Sequence, residues 1–159
     1  YKKLKNKAFD HLLRKSRSKF ETYLLDKQAA PKAMTQNKLK NKNANYGMIA
    51  DQSPKKKYTT NWLRFLNLNT PVFTGSELLA KRLDLAVVFM RIEKVGRGRY
   101  EAVLEPITTQ AKKTETGEIT KAYFKKVETQ IYRRPEFYLW SHKRWKHKDQ
   151  YDPAKHDFL

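Results

Sequence analysis

The sequence contains no cysteine, so it cannot form a disulfide framework, supply a thiol nucleophile or build a cysteine zinc site. Long apolar runs are also missing, since stretches such as residues 85–90 are far shorter than the roughly 20 residues that a membrane-spanning helix needs. No signal-peptide pattern opens the chain. The first residue is Tyr1 rather than methionine, and we therefore expect the chain to be a fragment of a longer protein.

Acidic residues are scarce: 35 Lys and Arg outnumber 16 Asp and Glu, which leaves a net charge of +19 on 159 residues. This charge favours polyanionic partners, and three classes fit: nucleic acid, an anionic membrane surface, and a phosphorylated or acidic substrate. Charge alone does not rank them, and a basic surface kept for solubility remains an alternative. A hydrophobic content of 39% with 13% aromatics suffices for the core of one domain and excludes a wholly disordered basic tail.

The N-terminal part of the chain predicts helices followed by a strand. Apolar residues at helical spacing predict an amphipathic helix over residues 6–19. Residues 29–45 are polar and basic and predict a short helix followed by a loop. The apolar run at residues 46–50 predicts a buried strand that delivers Asp51 and Gln52 into a loop.

The middle of the chain predicts a capped helix and a hairpin. Thr74 and Glu77 have the spacing of a capping box, in which the threonine oxygen accepts from a backbone N–H and the glutamate reaches back. The apolar face that follows predicts a helix over residues 78–83. Residues 85–92 are apolar and β-branched and predict a buried strand, which a glycine turn joins to a second strand over residues 99–104.

The C-terminal part predicts two more helices. Apolar residues recurring every four positions predict an amphipathic helix over residues 119–134, which ends before Pro135. Residues 137–145 predict a short aromatic helix, and the polar residues after Lys146 predict a loose tail. The alternation of helices and strands predicts an α/β or α+β domain, with the hairpin as the antiparallel element of a mixed β-sheet.

Three stretches carry a family resemblance: residues 46–54 (YGMIADQSP), residues 69–77 (NTPVFTGSE) with the helix and strand that follow, and residues 135–146 (PEFYLWSHKRWK). In this order and spacing they resemble the lauroyl/myristoyl acyltransferases of lipid A biosynthesis in Gram-negative bacteria. Residues 1–20 are similar to the block that follows that family's catalytic region. The resemblance spans residues 1–148 as one domain and leaves residues 149–159 as a polar tail.

The resemblance implies an α/β fold of the glycerolipid-acyltransferase type, with a mixed β-sheet flanked by helices. It implies a peripheral enzyme at the cytoplasmic face of the inner membrane, without a cofactor or metal ion. Such an enzyme transfers a fatty acyl group from acyl carrier protein or acyl-CoA to a hydroxyl of a lipid A precursor or related anionic lipid. Its catalytic His-x4-Asp/Glu motif, in which histidine takes the acceptor proton and the carboxylate orients the ring, is expected before Tyr1. We therefore predict that this chain is the C-terminal portion of such an enzyme and is inactive alone.

One formal match to the catalytic motif occurs within the chain. His147 and Asp152 have the His-x4-Asp spacing, but they follow the family's closing signature in a polar segment, with no apolar strand in front to fix their geometry. Because both residue types are common, this spacing arises easily by chance. A solvated tail is therefore the favoured interpretation.

The resemblance also implies substrate-binding residues, for which structural roles remain alternatives. The candidates are Asn6, Arg17, Asp51, Gln52, Thr74 and Gly75. Asp51 and Gln52 line or support the cleft in this interpretation, or else satisfy the backbone of a turn. Thr74 and Gly75 open a helix whose free N–H groups favour an acceptor phosphate, although Glu77 would repel that phosphate. Arg17 offers a bidentate contact to phosphate.

An aromatic and basic cluster predicts membrane contact. Trp140, Arg144 and Trp145 would place rings at the headgroup level and a cation on anionic lipid, and packing in the core is the alternative. The basic run at residues 55–57 is better explained as a solvated loop, which still adds to the attraction towards anionic lipid.

Two other functions remain open. A nucleic-acid-binding module would use the charge of +19 and the nine Tyr and eight Phe for stacking. However, the sequence has no RNP1-like pattern, Gly-x-x-Gly clamp, zinc-finger spacing or clear helix-turn-helix, so nucleic acid is the less favoured partner. The other alternative is an inactive remnant that keeps the acyltransferase fold without its chemistry.

Overall fold

A computed structural model describes residues 3–159 of the chain. These residues form two compact units, one ending at Tyr46 and the other running from Gly47 to Leu159. The first unit contains helices, and the second combines helices with two β-sheets. The predicted α/β class with a mixed sheet is confirmed.

The first unit begins with the predicted amphipathic helix α1 (Lys7–Arg17). Asn6 starts it, because its side-chain Oδ1 accepts hydrogen bonds from the backbone N–H groups of Ala8 and Phe9 at 3.0 and 3.1 Å. Basic residues in the last turn complement the negative end of the helix dipole.

Helix α2 (Ala30–Leu39) is the second helix of this unit. Pro31 lies in its first turn, where a missing N–H costs nothing, and Met34 is buried. The amide Nδ2 of Asn37 donates to the hydroxyl of Tyr46 at 2.9 Å. That bond ties the loop after α2 back to the helix.

A three-stranded sheet forms one part of the second unit. Strand β1 (Asn61–Phe65) lies in the centre, antiparallel to β2 (Leu68–Pro71) and parallel to β5 (Asp157–Phe158), so the sheet is mixed. The turn between β1 and β2 has positive φ at both Leu66 (47°) and Asn67 (64°), as the two-residue hairpin turn that follows strand twist requires.

The remaining predicted elements of this unit are present: α3 (Gly75–Leu83), β3 (Val87–Gly96), β4 (Arg99–Thr108) and α4 (Glu118–Arg133). Strands β3 and β4 pair antiparallel around a two-residue turn and continue four residues further than predicted at the C-terminal end of each strand. They form a separate two-stranded sheet, so the prediction that this hairpin belongs to the mixed sheet is wrong. Helix α4 packs against β1, β3 and β4. The core between them consists of Leu63, Phe65, Val72, Phe89, Phe124, Val127 and Ile131.

Two local predictions are wrong. Residues 46–50 form no strand: no described strand pairs with them, and Ile49 is exposed. Residues 137–145 form no helix either. After a 3-10 turn at Pro135–Phe137, the backbone N–H groups of Trp140 and Arg144 bond to carbonyls only two residues back. The side chains of residues 137–145 therefore do not share one face.

The C-terminal residues are ordered rather than loose, so that prediction is also wrong. The rings of Tyr151 and His156 lie 5.5 and 5.3 Å from the ring of buried Trp62. The backbone N–H of Leu159 donates to the carbonyl of Trp62 at 2.8 Å, which continues the contacts of β5. The domain boundary at residue 148 stays a prediction.

Candidate functional site

A cavity of about 280 Å³ opens beside Asp51 in the second unit. Strand β3, helix α4 and two loops contribute its walls. The apolar lining residues are Met48, Ile49, Phe89, Met90, Val127, Ile131 and Phe137, and the polar ones are Asp51, Tyr123, Gln130, Arg134 and Tyr138. The cavity wall is therefore part apolar and part polar, and its polar part includes a carboxylate, two phenols, an amide and a guanidinium.

Asp51 belongs to a cluster with two half-buried phenols, those of Tyr123 and Tyr138. Burial raises the pKa of Tyr123, and the nearby Asp51 carboxylate raises it further. Burial likewise raises the pKa of Tyr138, an effect that the charge of Arg144 opposes. Both phenols therefore keep their protons at neutral pH and can donate hydrogen bonds.

Arg144 lies behind this cluster and has no exposed surface. Burial lowers its pKa to about 10, while Tyr138, Asp51 and Tyr123 favour its charged form, so the guanidinium is charged at neutral pH. Its Nη1 donates to the carbonyl of Pro71 at 2.9 Å. The guanidinium carbon also lies 5.5 Å from the centre of the buried Phe124 ring, within cation–π range.

Ser53 connects the Asp51 loop to residues about 90 positions further along the chain. Its hydroxyl donates to the carbonyl oxygen of Arg144 at 2.6 Å and accepts from Arg144 Nη1 at 3.4 Å. Its backbone N–H donates to Nε2 of His142 at 2.9 Å. Sequence reasoning missed this contact, although the two stretches involved are the ones that carried the family resemblance.

A family model, bacterial lipid A biosynthesis acyltransferase, matches residues 1–147. The chain belongs to this family. No curated protein sequence matches it significantly. The matched region of this acyltransferase domain includes both the Asp51 loop and the residues that hold it. Family membership indicates acyl transfer as the activity, with a lipid acyl donor and a lipid acceptor as substrates.

Three further predicted site residues of the acyltransferase domain belong to the second unit and do not line the cavity. Gln52 is exposed beside Asp51. Thr74 and Gly75 start helix α3, and neither lines the cavity. Asn6 and Arg17 lie at opposite ends of α1 in the first unit, about 16 Å apart at 1.5 Å per residue. Of the six substrate-binding candidates, Asp51 is the one that lines the cavity.

The predicted capping box is absent. Thr74 makes no side-chain cap to α3, and the Glu77 carboxylate is buried at the start of α4 instead. There it accepts from the backbone N–H groups of Gly117 at 2.6 Å and Thr120 at 2.9 Å, where the helix dipole favours a negative charge. Because Glu77 faces α4, its charge does not oppose an anion at the N-terminus of α3 in the way the sequence predicts.

The structure shows no hydrogen bond between the described side chains of His147 and Asp152. The Asp152 carboxylate accepts from Lys155 Nζ at 2.9 Å and from the backbone N–H of Ala154 at 3.0 Å. Nδ1 of His147 is buried without a hydrogen-bond partner among residues 3–159. Burial and the neighbouring lysines 146 and 56 lower the pKa of His147. Over the same described range, no group of three or more His, Asp or Glu side chains is arranged to hold a metal ion.

The aromatic and basic cluster predicted to contact membrane separates into buried and exposed members. Arg144 is fully buried, and the Trp145 ring stacks on Phe65 at 5.9 Å. Trp140 keeps about half of its surface exposed (52%). The structure therefore gives Arg144 no surface for a lipid headgroup, and membrane contact stays a prediction for Trp140.

Proposed function

We propose that this domain takes part in transferring a fatty acyl group from acyl carrier protein or acyl-CoA to a lipid A precursor. The acceptor hydroxyl oxygen attacks the thioester carbonyl, the C–S bond breaks, and the products are an ester and the free thiol. The hydroxyl proton passes through the general base to the leaving thiolate, so no covalent enzyme intermediate is required. The histidine motif implied by the resemblance, expected before Tyr1, would supply that base.

The cavity beside Asp51 is the observation that carries this proposal. Its volume of about 280 Å³ is close to the lower end of the roughly 300–1,000 Å³ that small-molecule sites occupy. It is therefore sized for part of a lipid rather than a whole one. The apolar wall suits hydrocarbon, while the Tyr123 and Tyr138 hydroxyls and the Asp51 carboxylate provide hydrogen-bonding groups for the polar end.

Each carried-over residue has a proposed role. Asp51 positions the polar end of a substrate in the cavity, and Gln52 supports the same loop. Thr74 and Gly75 offer the N-terminus of α3 to an acceptor phosphate. Asn6 and Arg17 lie at opposite ends of α1. Because the side chain of Asn6 is used to cap that helix, Arg17 is the one that contacts phosphate.

We propose that the domain acts as a peripheral protein at the cytoplasmic face of the bacterial inner membrane. The charge of +19 favours an anionic surface, at about 1 kcal/mol for each Lys or Arg near it. The exposed ring of Trp140 suits the headgroup region. No helix within residues 3–159 is both long and apolar enough to cross a membrane.

Binding measurements with the 159-residue chain test this proposal. Flotation with vesicles of anionic lipid, with and without a phosphorylated lipid A precursor, is compared with RNA and DNA gel shifts across a salt series. We expect precursor-dependent flotation that Asp51→Asn weakens, and nucleic-acid binding that salt abolishes. Salt-resistant nucleic-acid binding without precursor binding would instead establish the nucleic-acid module. Gln110→Glu provides a matched control on an exposed loop away from the cavity lining.

Activity measurements separate the enzyme from an inactive remnant. Incubation of this chain with acyl carrier protein thioester and precursor is expected to give no product, because the general base is expected upstream. Product formation would overturn that expectation. The coding sequence before Tyr1 then distinguishes the active enzyme from the inactive remnant. A His-x4-Asp/Glu motif there supports the enzyme, and its absence supports the remnant.

A further inference from the structure

Ser53 is the point where two distant parts of the second unit are joined. Four hydrogen bonds meet there. The backbone N–H donates to His142 Nε2 at 2.9 Å, the hydroxyl donates to the carbonyls of Arg144 at 2.6 Å and Lys143 at 3.4 Å, and Arg144 Nη1 donates to the hydroxyl at 3.4 Å. Both the main chain and the side chain of Ser53 are therefore held. Because Asp51 lies only two residues earlier, these bonds also limit where its carboxylate can be.

The Asp51 loop has no support from a β-ladder. Residues 46–50 before it form no strand, and the side chain of Ile49 is exposed. The hydroxyl of Tyr123 hydrogen bonds with the backbone of Ala50, and Ala50 and Pro54 are buried, so these contacts also hold the stretch. A loop without ladder hydrogen bonds depends on such individual contacts for a single conformation.

Arg144 is an expensive residue to bury at this position. It has no exposed surface, and its Nε and Nη2 make no well-formed hydrogen bond to a described residue, although Tyr138 and Asp51 interact with its charge. An apolar side chain of similar size would avoid that desolvation cost. A buried charge that does not maximise stability is consistent with a role in fixing one arrangement of the chain.

We propose that His142 and Arg144 are positioning residues, which hold the loop through Ser53 so that Asp51 stays at the cavity. This inference rests on the proposed function of the cavity as a lipid site. Arg144 also donates to the carbonyl of Pro71 at the end of β2. It therefore connects the loop to the three-stranded sheet. His142 must be the tautomer with its proton on Nδ1, because Nε2 accepts the Ser53 N–H.

The first experiment examines the hydrogen bond itself and does not depend on any ligand. In ¹⁵N-labelled protein, an N–H···N bond transmits a scalar coupling between the Ser53 amide nitrogen and His142 Nε2. We expect to detect this coupling in the 159-residue chain and to lose it in His142→Ala. Absence of the coupling in the wild-type chain, with both signals assigned, would overturn the proposal whether or not the domain binds lipid.

The second experiment measures affinity for the phosphorylated lipid A precursor in Ser53→Ala, His142→Ala and Arg144→Met. We expect each variant to bind at least about tenfold more weakly, since small displacements of a positioned group carry large penalties. Ile119→Val is the matched control, because it lowers stability in a separate apolar cluster with Ala80 and Ala111. The control is expected to bind as the wild type does.

The outcomes separate the two proposals. If the wild-type chain fails to bind the precursor, the proposed function is wrong, and the coupling still reports on the loop. If the wild type binds and Ser53→Ala and His142→Ala bind equally well while remaining folded, the positioning role is wrong and the lipid site stands. If Arg144→Met does not fold, Ser53→Ala still tests the positioning role, because it removes only one hydroxyl.

Discussion

The hairpin β3–β4 and the closing segment, residues 135–147, differ both in the regularity of their backbone and in the burial of their side chains. The hairpin is regular between Val88 and Lys94, with register shifts only near the two ends of its ladder, yet Met90 and Leu104 on one of its faces are exposed. The closing segment has one 3-10 turn and otherwise irregular backbone, yet it contains fully buried Arg144. Regular backbone hydrogen bonding and burial are thus separate properties in this domain.

The difference follows from where each region finds its partners. In the hairpin, the backbone groups that face the other strand pair with each other, so the ladder joins residues that are near each other in the sequence. The closing segment satisfies its polar groups through distant residues, such as the hydroxyl of Ser53 and the backbone carbonyl of Pro71. Its conformation therefore depends on the tertiary structure, whereas that of the hairpin is largely local.

The largest effect is expected where the closing segment is buried. Arg144→Ala removes the bonds to Pro71 and Ser53 and leaves a cavity between Phe65 and Phe124, which lowers the free energy of unfolding by about 3–5 kcal/mol. Arg144→Met refills much of the space and is expected to lose clearly less. Urea unfolding measures both, and equal losses would show that the hydrogen bonds, rather than packing, dominate.

A second prediction concerns Leu159, which packs partly buried against the core without regular structure. Gly117 has φ +84°, and a Cβ there would lie 2.9 Å from Cδ2 of Leu159. Gly117→Ala is therefore expected to destabilise by about 1–3 kcal/mol through strain and overlap. Adding Leu159→Ala should relieve the overlap but not the strain. Thermal unfolding of the single and double variants measures this, and full additivity would exclude the contact.

Periodicity predicted the regular elements because their structure is local. Apolar residues every four positions located α4, and the glycine turn between two apolar runs located the hairpin. The same approach failed for residues 137–145, whose aromatic spacing resembles a helix. Those side chains are shared among Phe65, Pro135 and Ser53, which no local pattern encodes.

The candidate site was predicted in part. The resemblance identified Asp51, which lines the cavity, but the phenols of Tyr123 and Tyr138 come from a helix and a loop far along the chain. Glu77 shows why capping was misread: its spacing from Thr74 fits a local cap, whereas the nearby N-terminus of α4 offers two free N–H groups. Long-range competition of this kind is invisible in the sequence.

A smaller effect is expected at the ion pairs on the helix-facing side of the hairpin. Lys126 and Arg91 hydrogen bond to the Glu105 carboxylate and lower its pKa from 4.5. Because the folded pKa is lowered, the stabilisation is present above about pH 4.5 and is lost as pH falls. Glu105→Gln should cost about 0.2–1 kcal/mol at pH 7 and less at pH 3. A loss that stays constant between these pH values would exclude the charge as its cause.

The smallest effect is expected on the exposed face of the hairpin. Met90 and Leu104 lie opposite each other in the ladder, and both are exposed. Met90→Thr should change the free energy of unfolding by no more than about 0.5 kcal/mol, because an exposed position away from the core contributes little. Phe89→Ala, one residue earlier on the buried face, should cost about 3–5 kcal/mol.

Urea unfolding of these two adjacent variants measures how sharply burial changes across the hairpin. If Met90→Thr costs as much as a core substitution, this face is covered in solution, and the hairpin is packed on both sides. If both costs are small, the hairpin ladder is stable without its contact to α4. The expected pair of values, one small and one large, requires that burial follow the side-chain alternation of β3 rather than the regularity of its backbone.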